Sequence, residues 1–182
     1  MLLDKTDNRH IHNPSVSSLL FGHVPRYIEH GDIRLRPLRI FDGPFISNGL
    51  KNNDILTAGG LSNAVLKPWF SVWWWLKRKY VFLYCIEVGP ECIGFTGLYD
   101  LSPDRSAELT LVIFDTENRR RGYGTKVFNL LAQNLERYLV NMKVKVKAEN
   151  HAALSFWSKL GFKEICDMGD IKMLHMDLKG YV

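Results

Sequence analysis

The chain has 182 residues, 46% hydrophobic and 24% charged, the size and balance of one globular domain with a core of its own. Its net charge of +5 suits an anionic ligand, but Lys and Arg are not massed in one arm and no C-x-x-C or zinc-finger spacing occurs, so only charge speaks for nucleic acid and none is expected. Uncharged apolar runs such as Pro68 to Leu76 are too short for a membrane span, and the first thirteen residues do not read as a secretory leader.

Residues 1–30 read as an N-terminal extension and 31–182 as a single domain, with Arg26 to Glu29 a short strand that turns at Gly31-Asp32. Ile33 to Leu38 alternates with period two and predicts the next strand, with Pro37 at its end or on an edge. Phe41 to Asn53 carries a weak helical period interrupted by Gly43, Pro44 and Gly49, and Lys51 to Gly60 reads as a loop. Leu66 to Lys79 predicts an aromatic helix with Trp69, Trp73 and Leu76 on one face. Its tryptophans suit a core, while Trp74 and Trp75, off that face, suit the wall of a pocket.

Tyr80 to Val88 and Glu91 to Leu101 predict a hairpin turning at Gly89-Pro90, and Ala107 to Phe114 predicts the following strand. A helix over Thr125 to Leu139 has Val127, Leu131, Leu135 and Tyr138 in one stripe. Met142 to Ala148 alternates strictly, so the strand–helix–strand run predicts a parallel pair with a right-handed crossover. Asn150 suits an N-cap, Gly161 a C-cap, and Phe162 to Cys166 and Ile171 to Leu178 close the domain as strands. Cys85, Cys92 and Cys166 lie in apolar runs at no metal-site spacing. They read as reduced core thiols of a cytoplasmic protein, with no metal expected.

The stretch Arg119-Arg120-Arg121-Gly122-Tyr123-Gly124-Thr125-Lys126 joins a strand to a helix start. Glycine lets successive amides converge, the helix start leaves its first N–H groups unpartnered, and arginines add bidentate donors, so the stretch reads as a cradle for a polyphosphate. A dinucleotide fingerprint would need glycine where Val127 stands, and a nucleoside triphosphate loop would need Gly-Lys-Ser/Thr where Gly124-Thr125-Lys126 stands.

Arg119-x-x-Gly122-x-Gly124, followed by Asn150-x-x-Ala153-x-x-Phe156-Trp157-x-Lys159-x-Gly161-Phe162, resembles the GNAT superfamily of acetyltransferases. Ile33 to Leu38 and Ile93-Gly94-Phe95-Thr96-Gly97-Leu98 also resemble its ribosomal-protein alanine N-acetyltransferase branch. The resemblance implies an α/β (α+β) fold: a mixed, mostly antiparallel sheet of about six to seven strands, about four flanking helices, and a splayed parallel pair at 107–114 and 142–148. It implies a single acetyltransferase domain over 31–182 with acetyl-CoA as donor. The backbone of Val112, Ile113 and Phe114 would hold the pantetheine arm. Arg119, Arg120, Arg121, Gly122, Tyr123, Gly124 and Thr125 would hold the phosphates, with Arg120, Arg121 or Lys126 reaching the ribose phosphate. Asn150 would reach the cofactor or cap its helix, and Trp157 would stand near the sulfur.

An amine of pKa about 10.4 must lose a proton before it attacks, which costs roughly 4.6 kcal/mol at pH 7, whereas an unassisted thiolate exit costs only about 2 kcal/mol. A base therefore matters more than an acid. Glu108 resembles the family's glutamate base and by alternation shares a face with Thr110 and Val112, with Asp100 and Glu87 as alternatives. Many family members carry a tyrosine acid where this chain has Trp157, whose indole N–H donates a hydrogen bond but no proton, leaving Ser155, Ser158 or water for that role. His151 reads as a surface histidine. The expected reaction is acetyl transfer to a primary amine, a protein N-terminus or a small amine, by direct attack in a ternary complex. The alternative is an acyl-CoA-binding sensor without turnover. The expected partner is a small-molecule or peptide amine, with a homodimer as the assembly.

Overall fold

A computed structural model describes residues 24–50, 82–179 and 181. The predicted 51–60 loop and the aromatic helix at 66–79 lie outside the described residues. The elements in chain order are β1 (Ile28–His30), β2 (Ile33–Pro37), a 3-10 turn (Ile40–Asp42) leading into α1 (Gly43–Leu50), β3 (Phe82–Val88), β4 (Glu91–Tyr99), β5 (Ser106–Ile113), α2 (Tyr123–Leu135), β6 (Asn141–Lys147), α3 (His151–Lys159), β7 (Lys163–Asp167) and β8 (Ile171–Asp177).

The strands form one eight-stranded sheet in the order β1-β2-β3-β4-β5-β6-β8-β7. All neighbours are antiparallel except β5 and β6, the predicted parallel pair. The sheet has one strand more than the six to seven that the resemblance implies, and its first, Ile28–His30, lies where Arg26 to Glu29 predicts a short strand and pairs with β2. Ile28 and Val24 are buried in the core, and the Tyr84 hydroxyl donates to the Pro25 carbonyl, so the sheet draws on residues before 31. Three α-helices lie among the described residues.

Two apolar clusters sit on opposite faces of the sheet. On one face, Val127, Phe128, Leu131 and Leu135 of α2 and Trp157 of α3 pack on Leu109, Met142, Val144 and Val146. On the other, Ile46 and Leu50 of α1 pack on Leu83, Cys85, Phe95 and Val112. Strand alternation accounts for the division: along β5, Leu109, Leu111 and Ile113 serve the first cluster and Val112 the second. Helix α2 starts two residues earlier than expected and ends four earlier, with Tyr138 beyond it in a turn. The cysteine expectation divides: Cys85 is buried, Cys92 half-buried and Cys166 exposed, since β7, three of whose five residues are charged, is an edge strand with all five residues open to solvent.

Candidate functional site

Strand β5 treats its two neighbours differently. On one edge it pairs with β4 from Tyr99↔Glu108 to Gly94↔Ile113. On the other edge only Ser106, Ala107 and Glu108 lie opposite β6 residues, Asn141, Met142 and Lys143. Beyond Glu108 the two parallel strands part, while β6 stays paired with β8 along its whole length. The result is a fork with its floor at Glu108 and its mouth at Ile113.

The backbone groups that line this fork follow from alternation. The Phe114 amide donates to the Ile93 carbonyl at 2.9 Å, so it points toward β4. The Val112 carbonyl also faces β4, lying where a Cβ on Gly94 would be. Leu111 and Ile113 therefore turn their polar backbone groups into the fork. Of the predicted trio Val112, Ile113 and Phe114, only Ile113 offers its backbone there. The side chains of the other two pack toward α1, with Phe114 against Phe45 at 5.1 Å and Phe95 at 5.7 Å between ring centroids.

At the mouth, Arg119 turns inward. Its Nε donates to the Ile113 carbonyl at 2.9 Å, a second guanidinium nitrogen lies 3.4 Å from the Phe114 carbonyl, and its amide donates to the Asp115 carbonyl. Arg119 thus ties the turn to the end of β5, leaving Arg120 and Arg121 exposed. Arg120 and Gly122 both have left-handed backbone, with φ of 63° and 82°. Such alternation makes neighbouring amides converge on one point, an anion-binding concavity. Gly122 caps α2 without a side-chain bond, and among the described residues the amides of Arg120, Arg121, Gly122, Tyr123, Gly124 and Thr125 donate to no protein acceptor. These unsatisfied donors, with the helix dipole behind them, fit a pyrophosphate. Lys126 stands over the Tyr123 ring at 5.3 Å.

Gly124 has a second reason to be glycine. A Cβ there would stand 3.2 Å from two atoms of the Phe156 ring, so Gly124 lets α2 approach α3. Gly124→Val is therefore expected to destabilise the fold by about 1–3 kcal/mol through overpacking. Phe156→Leu in the same chain should recover part of that loss in a urea-unfolding cycle, and strictly additive losses would rule out the contact as the cause.

The Asn150 side chain caps α3, accepting from the Ala153 amide at 3.0 Å. At the other end, Gly161 (φ 97°) donates to Ser158 and Phe162 to Trp157, the paired bonds of a Schellman close. Trp157 is 6% exposed and packs in the first core cluster, with ring centroids 5.0 Å from Phe162 and 6.0 Å from Phe128. His151 is exposed, as expected.

Glu108 sits at the floor of the fork. Its Oε2 lies 2.6 Å from Lys145 Nζ on β6, an ion pair that bridges the two strands just where they part. Tyr99 is its cross-strand partner on β4. Burial, and then the nearby Glu108 charge, hold the Tyr99 phenol above its ordinary range, so it stays neutral at neutral pH. Of the alternative carboxylates, Asp100 follows Tyr99 and is exposed, while Glu87 is bound to Arg36 in a separate network. Lys145 and the inward turn of Arg119 had no sequence signal, since both depend on contacts between separate elements.

Comparisons with known proteins agree with this geometry. The model of the acetyltransferase (GNAT) family matches residues 57–162. An N-acetyltransferase 9-like protein of Schizosaccharomyces pombe is 32% identical over 65 residues, a match covering 32% of this chain and 30% of that protein's length. Similar solved structures include a spermidine N-acetyltransferase from Vibrio cholerae in complex with CoA and spermine, at a TM-score of 0.71 and 20% identity over 84% of this chain and 99% of that one. A ribosomal L7/L12 alpha-N-protein acetyltransferase in complex with coenzyme A has a TM-score of 0.68 at 15% identity, over 85% and 97% of the two chains. A ribosomal-protein-S5-alanine acetyltransferase from Vibrio fischeri has a TM-score of 0.67 at 14% identity, over 86% and 98%. With the family model spanning more than half of the chain and taking in the fork, the amide-lined turn and the capped helix, this chain belongs to the acetyltransferase (GNAT) family.

Proposed function

We propose that the chain is an N-acetyltransferase that moves an acetyl group from acetyl-CoA to a primary amine by direct attack in a ternary complex. The observation that carries this reading is the fork between β5 and β6 opening beside the free amides of residues 120–125. A pyrophosphate on those amides leaves a pantetheine arm free to run along the open edge of β5, bonding Leu111 and the Ile113 amide, the Ile113 carbonyl being held by Arg119. Its thioester would then come down toward the floor of the fork, beside Glu108 and Lys145. Glu108 is the candidate general base, taking a proton from the incoming ammonium. The thiolate leaves without a side-chain acid, consistent with an indole at position 157 that is held in the core.

The acceptor is a primary amine, either a peptide N-terminus or a small amine. Structural relatives named for spermidine and for ribosomal proteins support both classes. The test is to mix the protein with acetyl-CoA and a panel of free-N-terminus peptides, a polyamine and an amino sugar, and to follow thiol release. Acceptor-dependent release from at least one amine is expected. Saturable acetyl-CoA binding with no release from any of them would overturn turnover and leave an acyl-CoA sensor.

A further inference from the structure

Away from the fork, where the 3-10 turn meets β2, β3 and β4, five polar side chains come together. Arg36 is at the centre, with Nη1 2.7 Å and Nη2 3.0 Å from the two oxygens of Asp42 and Nε 2.6 Å from Glu87 Oε1. The same Nη2 lies 3.3 Å from Cys92 Sγ, and that thiol also points at Glu87 Oε1, 3.9 Å away. The Cys85 and Cys92 sulfurs and an Asp42 oxygen all lie within 4.8 Å of one another.

The hairpin produces this meeting. Glu87 is opposite Cys92 and Ile86 is opposite Gly94, so Ile93 is an extra residue in β4. The resulting bulge brings Cys92 diagonally beside Cys85 on the face they share with Glu87. Such a trio of ligand atoms could suggest a metal. However, both Asp42 oxygens already accept from Arg36, one of them also from the Arg39 amide, and a cation would have to displace a guanidinium that is itself positive.

We propose that Cys85 and Cys92 are a dithiol redox site, oxidised to an intramolecular disulfide by small-molecule disulfides of the glutathione type. The two thiols have different roles. Cys92 is half-buried, within reach of a small oxidant, and its sulfur faces the Arg36 guanidinium at 3.3 Å, a partner that a thiolate formed there would keep. Cys85 is 0% exposed, so it meets an oxidant only through Cys92, and because burial also pushes its thiol up, its attack on Cys92 is the slow step. Cys92 attacks the small disulfide, forming a mixed disulfide and releasing one thiol. Cys85 then attacks the Cys92 sulfur, and the second small thiol leaves. The protein loses two protons and two electrons, and the oxidant departs as two thiols.

Of the three cysteines, Cys166 is exposed on β7 and supplies an internal comparison. The native, reduced full-length chain is incubated with excess glutathione disulfide, quenched by alkylation and mapped by mass spectrometry. The expected product has a Cys85–Cys92 linked peptide lighter by two hydrogens, with glutathione retained only at Cys166. In a Cys85→Ser chain, glutathione should stay on Cys92, trapped for want of a resolving thiol. If Cys85 and Cys92 are both recovered alkylated while Cys166 is consumed, the proposal is overturned. It is equally overturned if Cys92 in Cys85→Ser reacts no faster than Cys166.

Discussion

Replacing Glu108 with glutamine is expected to lower kcat by about 10²–10⁴-fold, the usual contribution of a positioned base, while leaving acetyl-CoA affinity unchanged. The upper end of that range applies to an alkylamine acceptor, and the lower end to a peptide N-terminus, whose α-amino group costs only about 1 kcal/mol to deprotonate at pH 7. At pH 7 an alkylammonium must give up roughly 4.6 kcal/mol to become a nucleophile, and glutamine accepts no proton. The Glu108 side chain is 22% exposed and its Lys145 partner 37%, so the ion pair contributes no more than about 1 kcal/mol to folding. Stability and activity should therefore separate: a near-native urea midpoint with a large fall in kcat. Affinity is preserved because the amides of residues 120–125, proposed to hold the phosphates, lie at the other end of the fork from Glu108. Steady-state kinetics on the best acceptor, with calorimetric CoA binding, measures both. A kcat within about threefold of the native value would move the base elsewhere. Asp100→Asn is the next variant to examine, because that residue follows the cross-strand partner of Glu108.

The second large effect concerns folding. Arg36→Met is expected to destabilise the chain by about 3–5 kcal/mol, since it leaves two carboxylates in a site built for a cation. The side chains of Arg36, Asp42 and Glu87 are 7%, 12% and 16% exposed, so water cannot replace the lost partner cheaply. Urea unfolding checks this, and a loss below about 1 kcal/mol would show that the carboxylates relax to solvent. Asp42→Asn and Glu87→Gln added to Arg36→Met should recover part of the loss, because no buried charge then stands alone. The acid limb gives a second reading. Burial pushes the Asp42 carboxyl up, but hydrogen bonds from Arg36 and the Arg39 amide more than offset this and hold it below the ordinary carboxylate range. Its folded pKa is thus below its unfolded one. The stabilisation is complete above about pH 4 and is lost as pH falls through the lowered value. That acid-dependent fall should shrink in Arg36→Met.

Most of the fold was legible because its signals are local. Strict alternation from Met142 to Lys147 comes out as a strand with Met142, Val144 and Val146 buried. The Asn150 cap and Gly161 close delimit α3 at both ends, as their residue types indicated. The hairpin at Gly89-Pro90 and the parallel pair after it also follow from short-range patterns. The errors lie where neighbours in space decide. β7 holds Ile165 and Cys166 among three charged residues and is an edge with nothing packed over it among the described residues, so Cys166 is exposed. The trio 112–114 reads as one apolar run, but only pairing with β4 reveals which backbone groups are spent and which face the fork.

By itself the sequence determined the order of elements among the described residues, the family pattern and the amide-lined turn. Each of these depends on residues within a few positions: glycine at a left-handed corner, an asparagine three residues before an amide, a period of two. Only the tertiary structure decided what the polar side chains do. Arg119 looked like a phosphate ligand and is a strut to the end of β5. Trp157 looked like a neighbour of the sulfur and fills the core. Gly124 is constrained by Phe156, thirty-two positions away, as well as by its own turn. Arg36 joins Asp42, Glu87 and Cys92 across a bulge in the β3–β4 hairpin. Backbone geometry is set by short-range sterics and hydrogen bonding, whereas a charged side chain takes its role from whichever partner the completed sheet brings within about 3 Å.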